Sequence, residues 1–160
     1  MISNVRIDDR LIHGQVVTMW IPHYKANRVV IVDNKVANDD VRKSLLRMGC
    51  PTEVKLLIWD ADTAATKLMN NTNNDLKILI LCTNPLEIRQ MIKKGLNIKD
   101  VTIGNMSFKP GSKSIRKTVF VTEEERECFI EMEEMGVKFI SQMIPSEAED
   151  DTILDDIRKG

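Results

Sequence analysis

The chain of 160 residues is poor in the residues that build disulfide scaffolds, metal knuckles and nucleotide loops. Its three cysteines, Cys50, Cys82 and Cys128, are odd in number and lie too far apart for a zinc knuckle or a redox pair. Cys82 ends an apolar run and reads as a core residue. The seven glycines never fall as Gly-x-Gly and no Walker loop occurs, which argues against a dinucleotide fingerprint or a phosphate-binding P-loop. A formal net charge of -1 gives no reason to expect nucleic acid or an anionic membrane surface as partner. No run approaches the roughly 20 apolar residues of a membrane span. The first residues lack the basic-then-apolar pattern of a secretory signal, so a cytoplasmic protein is expected. No carboxylate cluster resembles a Mg²⁺ site, and neither a metal nor a separate cofactor is expected.

What is present describes an ordinary globular chain, 42% apolar and 29% charged, long enough for a core without covalent staples. One domain over residues 1–160 is expected. Short runs rich in β-branched residues predict strands over 2–7, 28–33, 53–59, 76–82, 101–104, 118–121 and 137–144. Helical patterns fall between most of them. Val17, Trp20, Ile21 and Tyr24 form one apolar stripe, with Pro22 predicted to cut or kink its helix after Ile21. Val41, Leu45 and Met48 form another, ended by Gly49-Cys50-Pro51. Thr122 followed by Glu125 reads as a capping box, and residues 105–117 as a basic loop. The alternation predicts an α/β fold: a mostly parallel central sheet of about seven strands with helices on both faces.

The densest chemistry lies in Val5-Arg6-Ile7-Asp8-Asp9-Arg10-Leu11-Ile12-His13-Gly14-Gln15-Val16. A strand breaks here into a polar turn and restarts as a helix just after His13. In α/β proteins that strand-to-helix turn is where ligands bind. Neutral imidazole is a usable nucleophile near pH 7, and arginine forks match phosphate oxygens. Gly14 would let the backbone approach a ligand, and unpaired N–H groups at a helix start favour anions. Arg6 sits in a strand expected to be covered on both faces, so it should have an anionic partner, Asp8 or a ligand. The second histidine, His23, has no arginines beside it and reads as a surface residue.

The run from Arg6 to Val16 resembles the signature of the IIB component of the mannose/fructose/sorbose family of the bacterial phosphoenolpyruvate-dependent sugar phosphotransferase system. Val41-Arg-Lys-Ser-Leu-Leu-Arg-Met48, Cys82-Thr-Asn-Pro85, 97–108 and Gln142-Met-Ile-Pro-Ser146 are similar to its later blocks, so the likeness spans nearly the whole chain. The resemblance implies a phosphohistidine carrier, a protein-Nπ-phosphohistidine–sugar phosphotransferase. His13 would accept a phosphoryl group from a phosphorylated IIA protein and pass it to a sugar held by the membrane IIC and IID components. It also implies a homodimer associated peripherally with the permease, and the ring nitrogen nearer the backbone as the carrier. In this scheme Arg10, then Arg6, cradle the transferring group, with the N–H groups around Gly14 and Gln15. Asp8 or Asp9 orient an arginine or the other ring nitrogen. Asn105, Ser107 and Lys109 are further candidates for contact with the phosphate. No metal and no separate cofactor enter the scheme.

The alternative readings are a nucleotide- or flavin-binding α/β domain and a non-catalytic regulatory module on the same fold. Flavin absorbance or a nucleotide-dependent melting temperature would favour the first. His13→Gln abolishes labelling by a phosphorylated IIA donor while His23→Gln leaves it intact, and labelling that survives the first change refutes the assignment.

Overall fold

In the computed structural model, which describes residues 1–160, the most apolar run becomes the strand buried along its whole length. This is β4 (Ile78–Cys82), flanked by β2 (Arg28–Val32) and β1 (Ile2–Asp8). The sheet is completed by β3 (Lys55–Trp59), β5 (Asp100–Asn105) and β8 (Lys138–Ser141), in the order β3-β2-β4-β1-β5-β8. Every pairing is parallel, as crossover helices require. Of the seven strands expected, six form this sheet. The seventh, β7 (Val119–Val121), pairs instead with β6 (Lys113–Arg116) as an antiparallel hairpin. The basic stretch read as a loop therefore contains one arm of a hairpin, too short and too charged to carry an apolar signature.

Helices cover both faces, and each face has its own apolar core. On one side α3 (Ala61–Met69), α4 (Leu86–Lys94), α5 (Glu123–Glu134) and α6 (Ile153–Lys159) pack against Val5, Ile7, Ile80 and Ile103. On the other, Val16, Trp20, Ile21 and Leu46 pack against Val29, Ile31, Leu79 and Leu81. Capping follows the sequence: Asp60 accepts the Thr63 N–H, and Thr122 and Glu125 form the reciprocal capping box.

One local expectation is corrected. Pro22 does not cut the helix after Ile21. Residues 14–24 run on through a π turn at Val16–Trp20 into α1 (Ile21–Tyr24). The Ile21 N–H bonds the Val16 carbonyl, and Pro22 lies in the first turn of α1, where a missing N–H is tolerated. The wider turn also moves the buried stripe to Val16, Trp20 and Ile21, with Val17 only partly covered. The expected helix α2 (Asp40–Gly49) forms, and its apolar stripe faces outward: Val41, Leu45 and Met48 are 72%, 60% and 82% exposed. Periodicity locates an apolar face but not what lies against it.

The connections place the site. After β1 the chain crosses to the face of residues 14–24, whereas after β4 it crosses to the opposite face through α4. Neighbouring strands thus send the chain to opposite sides, and a crevice opens at the carboxyl end of β1.

Candidate active site

Strand alternation divides β1 by function. Val5 and Ile7 enter the core under α4 and α5, which puts Arg6 and Asp8 on the other face, both fully buried. Past Asp8 the chain turns sharply. The Leu11 N–H bonds the Asp8 carbonyl at 2.9 Å, and Leu11 adopts a left-handed conformation with φ of 57°. A non-glycine residue held there costs on the order of 1–3 kcal/mol. Burial of the Leu11 side chain among Val16, Trp20 and Leu81 offsets that cost and throws Arg10 and His13 outward.

Asp8 is the hub of the site. The Arg10 guanidinium grips it with both arms, Nε to Oδ1 at 2.9 Å and Nη2 to Oδ2 at 2.8 Å, and the Arg10 N–H bonds Oδ1 at 3.2 Å. The His13 ring meets Oδ2 through Nε2 at 3.3 Å. A carboxylate only accepts, so this contact requires the proton on Nε2 and leaves Nδ1 with a free lone pair. His13 is 18% exposed. Its pKa is lowered from the ordinary value by burial, with Asp8 pulling the other way and Arg10 and Arg6 adding to the depression. The ring is therefore neutral and nucleophilic at neutral pH.

Around this pair the donors are free. Arg10 Nη2 also donates to Gln15 Oε1 at 3.2 Å, which leaves Nη1 without a protein acceptor. The N–H groups of Gly14 and Gln15, at the start of the helical segment, donate to no protein group. Nothing lies within 4 Å of where a Cβ on Gly14 would stand, so the space above that backbone is open to a ligand.

The other expected site residues are placed differently. Arg6 does not face the open site. It lies at full burial under the turn, its Nη1 and Nη2 donating to the carbonyls of Gln142 and Met143 at 2.8 and 3.2 Å. Its guanidinium sits 4.4 Å from the Trp20 ring centroid and 3.6 Å from Asp8 Oδ2. Burial lowers its pKa to about 10, against the pull of Asp8, so it stays charged. Asp9 orients neither arginine nor histidine. It accepts from Asn105 Nδ2, the Ser107 N–H and Ser107 Oγ at 2.8, 2.6 and 3.1 Å, tying the 105–107 loop to the turn. Asn105 and Ser107 thus spend their donors on Asp9. Lys109 is directed elsewhere, with Nζ on Glu125 at 3.0 Å and on the Phe120 carbonyl at 3.2 Å. Cys82 is fully buried and its thiol is pushed well above the ordinary value by burial, so it is inert core. His23 is exposed beside Trp20 and Tyr24.

Sequence reasoning missed Trp20, Gly104 and the 142–143 carbonyls. A glycine within a predicted strand is the one signal that was available, since it marks close approach of another group.

A carboxylate-held histidine, a free arginine arm and bare backbone donors at the switch point of a parallel α/β sheet are suited to receiving a small anionic group. Comparison with known proteins specifies it: residues 2–157 match the model of the phosphotransferase-system sorbose subfamily IIB component, and the chain belongs to that family. It is 35% identical over 153 residues to the sorbose-specific EIIB component of Lacticaseibacillus casei, covering 96% of this chain and 93% of that relative. To the fructose-specific EIIB component of Bacillus subtilis it is 34% identical over 148 residues, covering 92% and 91%. The crystal structure of the IIBSor domain of the sorbose permease from Klebsiella pneumoniae superposes with a TM-score of 0.91 at 35% identity, covering 99% and 96%. IIB components are phosphotransferases of sugar transport that accept a phosphoryl group from IIA and pass it to sugar, and they work with IIA and the IIC/IID permease. No helix of this chain is long and apolar enough to cross a membrane.

The depressed basicity of His13 can be checked directly. Following its ring protons by NMR should give a titration midpoint below the ordinary histidine value of about 6.5. A midpoint at or above that value contradicts the desolvated, neutral ring.

Proposed function

We propose that His13 is the phosphoryl carrier and that Nδ1 is the atom that carries it. The observation behind this reading is the Nε2–Asp8 contact, which occupies one ring nitrogen and leaves the other bare. In the first step the Nδ1 lone pair attacks the phosphorus of the donor's phosphohistidine, and the donor's P–N bond breaks in line with the new one. Phosphorylation at Nδ1 with Nε2 still protonated gives the ring a positive charge, and Asp8 lies against that charge. In the second step a sugar hydroxyl oxygen bonds the phosphorus and gives up its proton to water. The Nδ1–P bond breaks, and its electron pair returns to a neutral imidazole. Ground-state binding and chemistry use the same groups. Arg10 Nη1 and the N–H groups of Gly14 and Gln15 are the donors for the phosphoryl oxygens, and they need no reorganisation as the planar group passes. No step in this scheme calls for a metal or a separate cofactor.

The surface around His13 suits a protein donor. Ile12, next to His13, lies against Gly49 at the end of α2, where a Cβ would stand 3.3 Å from its Cγ2. The exposed stripe Val41, Leu45 and Met48 continues from there, and exposed Phe108 lies on the loop that Asp9 holds from the other side. Two histidines sharing one phosphoryl group must come within a few ångströms, so the IIA component would cover these apolar side chains.

Two outcomes are expected. Phosphorylated protein labelled with ¹⁵N in histidine shows phosphorus–nitrogen coupling at Nδ1 of residue 13. Coupling at Nε2, or an adduct on another residue, contradicts the reading. Leu45→Ser combined with Met48→Ser raises the KM for phosphorylated IIA at least tenfold with kcat little changed. An unchanged KM removes α2 from the docking surface.

A further inference from the structure

Arg6 is the largest charged side chain wholly enclosed in this protein, and the phosphoryl group described above does not touch it. A buried cation is costly unless its donors are used, and here they are used in an unusual way. Two arms go to backbone carbonyls on the segment that follows β8, Gln142 and Met143, while Nε has no acceptor. The guanidinium is thus held less by its ion pair than by a fitted seat. Trp20 forms one wall of that seat, with its ring over the guanidinium and its Nε1–H on the same Met143 carbonyl at 3.0 Å.

Gly104 forms the other wall. A Cβ on Gly104 would stand 2.9 Å from Arg6 Nε and closer still to Cζ and Nη2. The Gly104 backbone has no positive φ, so nothing in its conformation calls for glycine. Only the planar side chain lying against it does. Strand register supports the same arrangement, since Arg6 pairs with Thr102 on β5 and Gly104 lies two residues further along that strand. A lysine ammonium could carry the charge but could not fill a flat slot between an indole and a bare backbone while bonding two carbonyls.

What the seat positions is Asp8. Its Oδ2 faces three cations or donors: Arg10 Nη2 at 2.8 Å, His13 Nε2 at 3.3 Å and Arg6 Nη2 at 3.6 Å. Arg10 is partly exposed and His13 is at the surface of the site, so neither can anchor the carboxylate against the other. Arg6 alone among the three is fixed from every side. We infer that Arg6, seated between Gly104 and Trp20, is a positioning residue of phosphoryl transfer. It holds the Asp8 carboxylate where His13 must keep its proton on Nε2 and present Nδ1. This rests on His13 as the carrier, and it makes Gly104 and the 142–143 carbonyls part of the support that positions Asp8.

The test reads the His13 tautomer by ¹⁵N NMR in unphosphorylated protein, alongside the rate of phosphoryl acceptance from phosphorylated IIA. Wild type is expected to show Nε2–H and a bare Nδ1. Gly104→Ala, which pushes the guanidinium off its seat, should give a mixture of tautomers and at least a tenfold slower transfer. Arg6→Lys should move both readouts in the same direction, while Trp20→Phe, which keeps a ring over the guanidinium, should move them least. Circular dichroism and melting curves identify any variant that has not folded, and Trp20→Phe and Arg6→Lys then carry the comparison. Folded Gly104→Ala and Arg6→Lys proteins with the wild-type tautomer overturn the inference, whether or not their rates fall. A wild-type adduct away from residue 13 instead overturns the functional reading and leaves the tautomer measurement standing.

Discussion

The site depends on one buried carboxylate. Asp8 is withdrawn from water and surrounded by the two arginines and the histidine that the turn brings to it. A buried carboxylate of this kind is tolerable only with its oxygens bonded. Arg10 meets that need in the bidentate geometry that makes such pairs strong. The cost of burying Asp8 is therefore offset by bonds that also fix an arginine and an imidazole where the proposed transfer would use them. Stability and reactivity share the same contacts here, so a change at Asp8 should be felt in both.

The fold supplies the conditions for that carboxylate. Parallel strands with opposite crossovers open a crevice at the end of β1, and alternation along β1 sends apolar residues to one core and Arg6 and Asp8 to the other face. The strained Leu11 pins the turn from below, and Asp9 ties it to the 105–107 loop from the side. A rigid turn matters for a carrier that must meet two different partners with one atom. Any freedom in the imidazole would have to be lost at each transfer, and the loss would appear in both barriers.

Much of this was legible in the sequence, and what was not has physical causes. The strand expected at 76–82 and the capping box at Thr122 depend on local residues; the capping box stands as read, and the strand starts two residues later, at Ile78. The candidates in the turn divided by how far their partners lay along the chain. Asp8, Arg10 and His13 find each other within five residues, so their meeting was within reach of a local reading. Arg6 and Asp9 find hydrogen-bond partners 96 to 137 residues away, at Asn105, Ser107, Gln142 and Met143, so spacing within the turn could not assign them. The seat of Arg6 was hidden for the same reason. The α2 stripe shows the complementary limit: its period was right, but period cannot tell a face buried in the core from one left open.

The most direct test of the central claim is the rate at which Asp8→Asn accepts phosphate from phosphorylated IIA. An amide can turn either its oxygen or its nitrogen to the ring, so it no longer dictates which ring nitrogen holds the proton. In a Ser-His-Asp triad the equivalent loss of tautomer control costs about 10⁴ in rate. For this protein, provided circular dichroism shows the variant folded, the account predicts a fall of at least about 100-fold. A folded Asp8→Asn that is phosphorylated at the wild-type rate would contradict it.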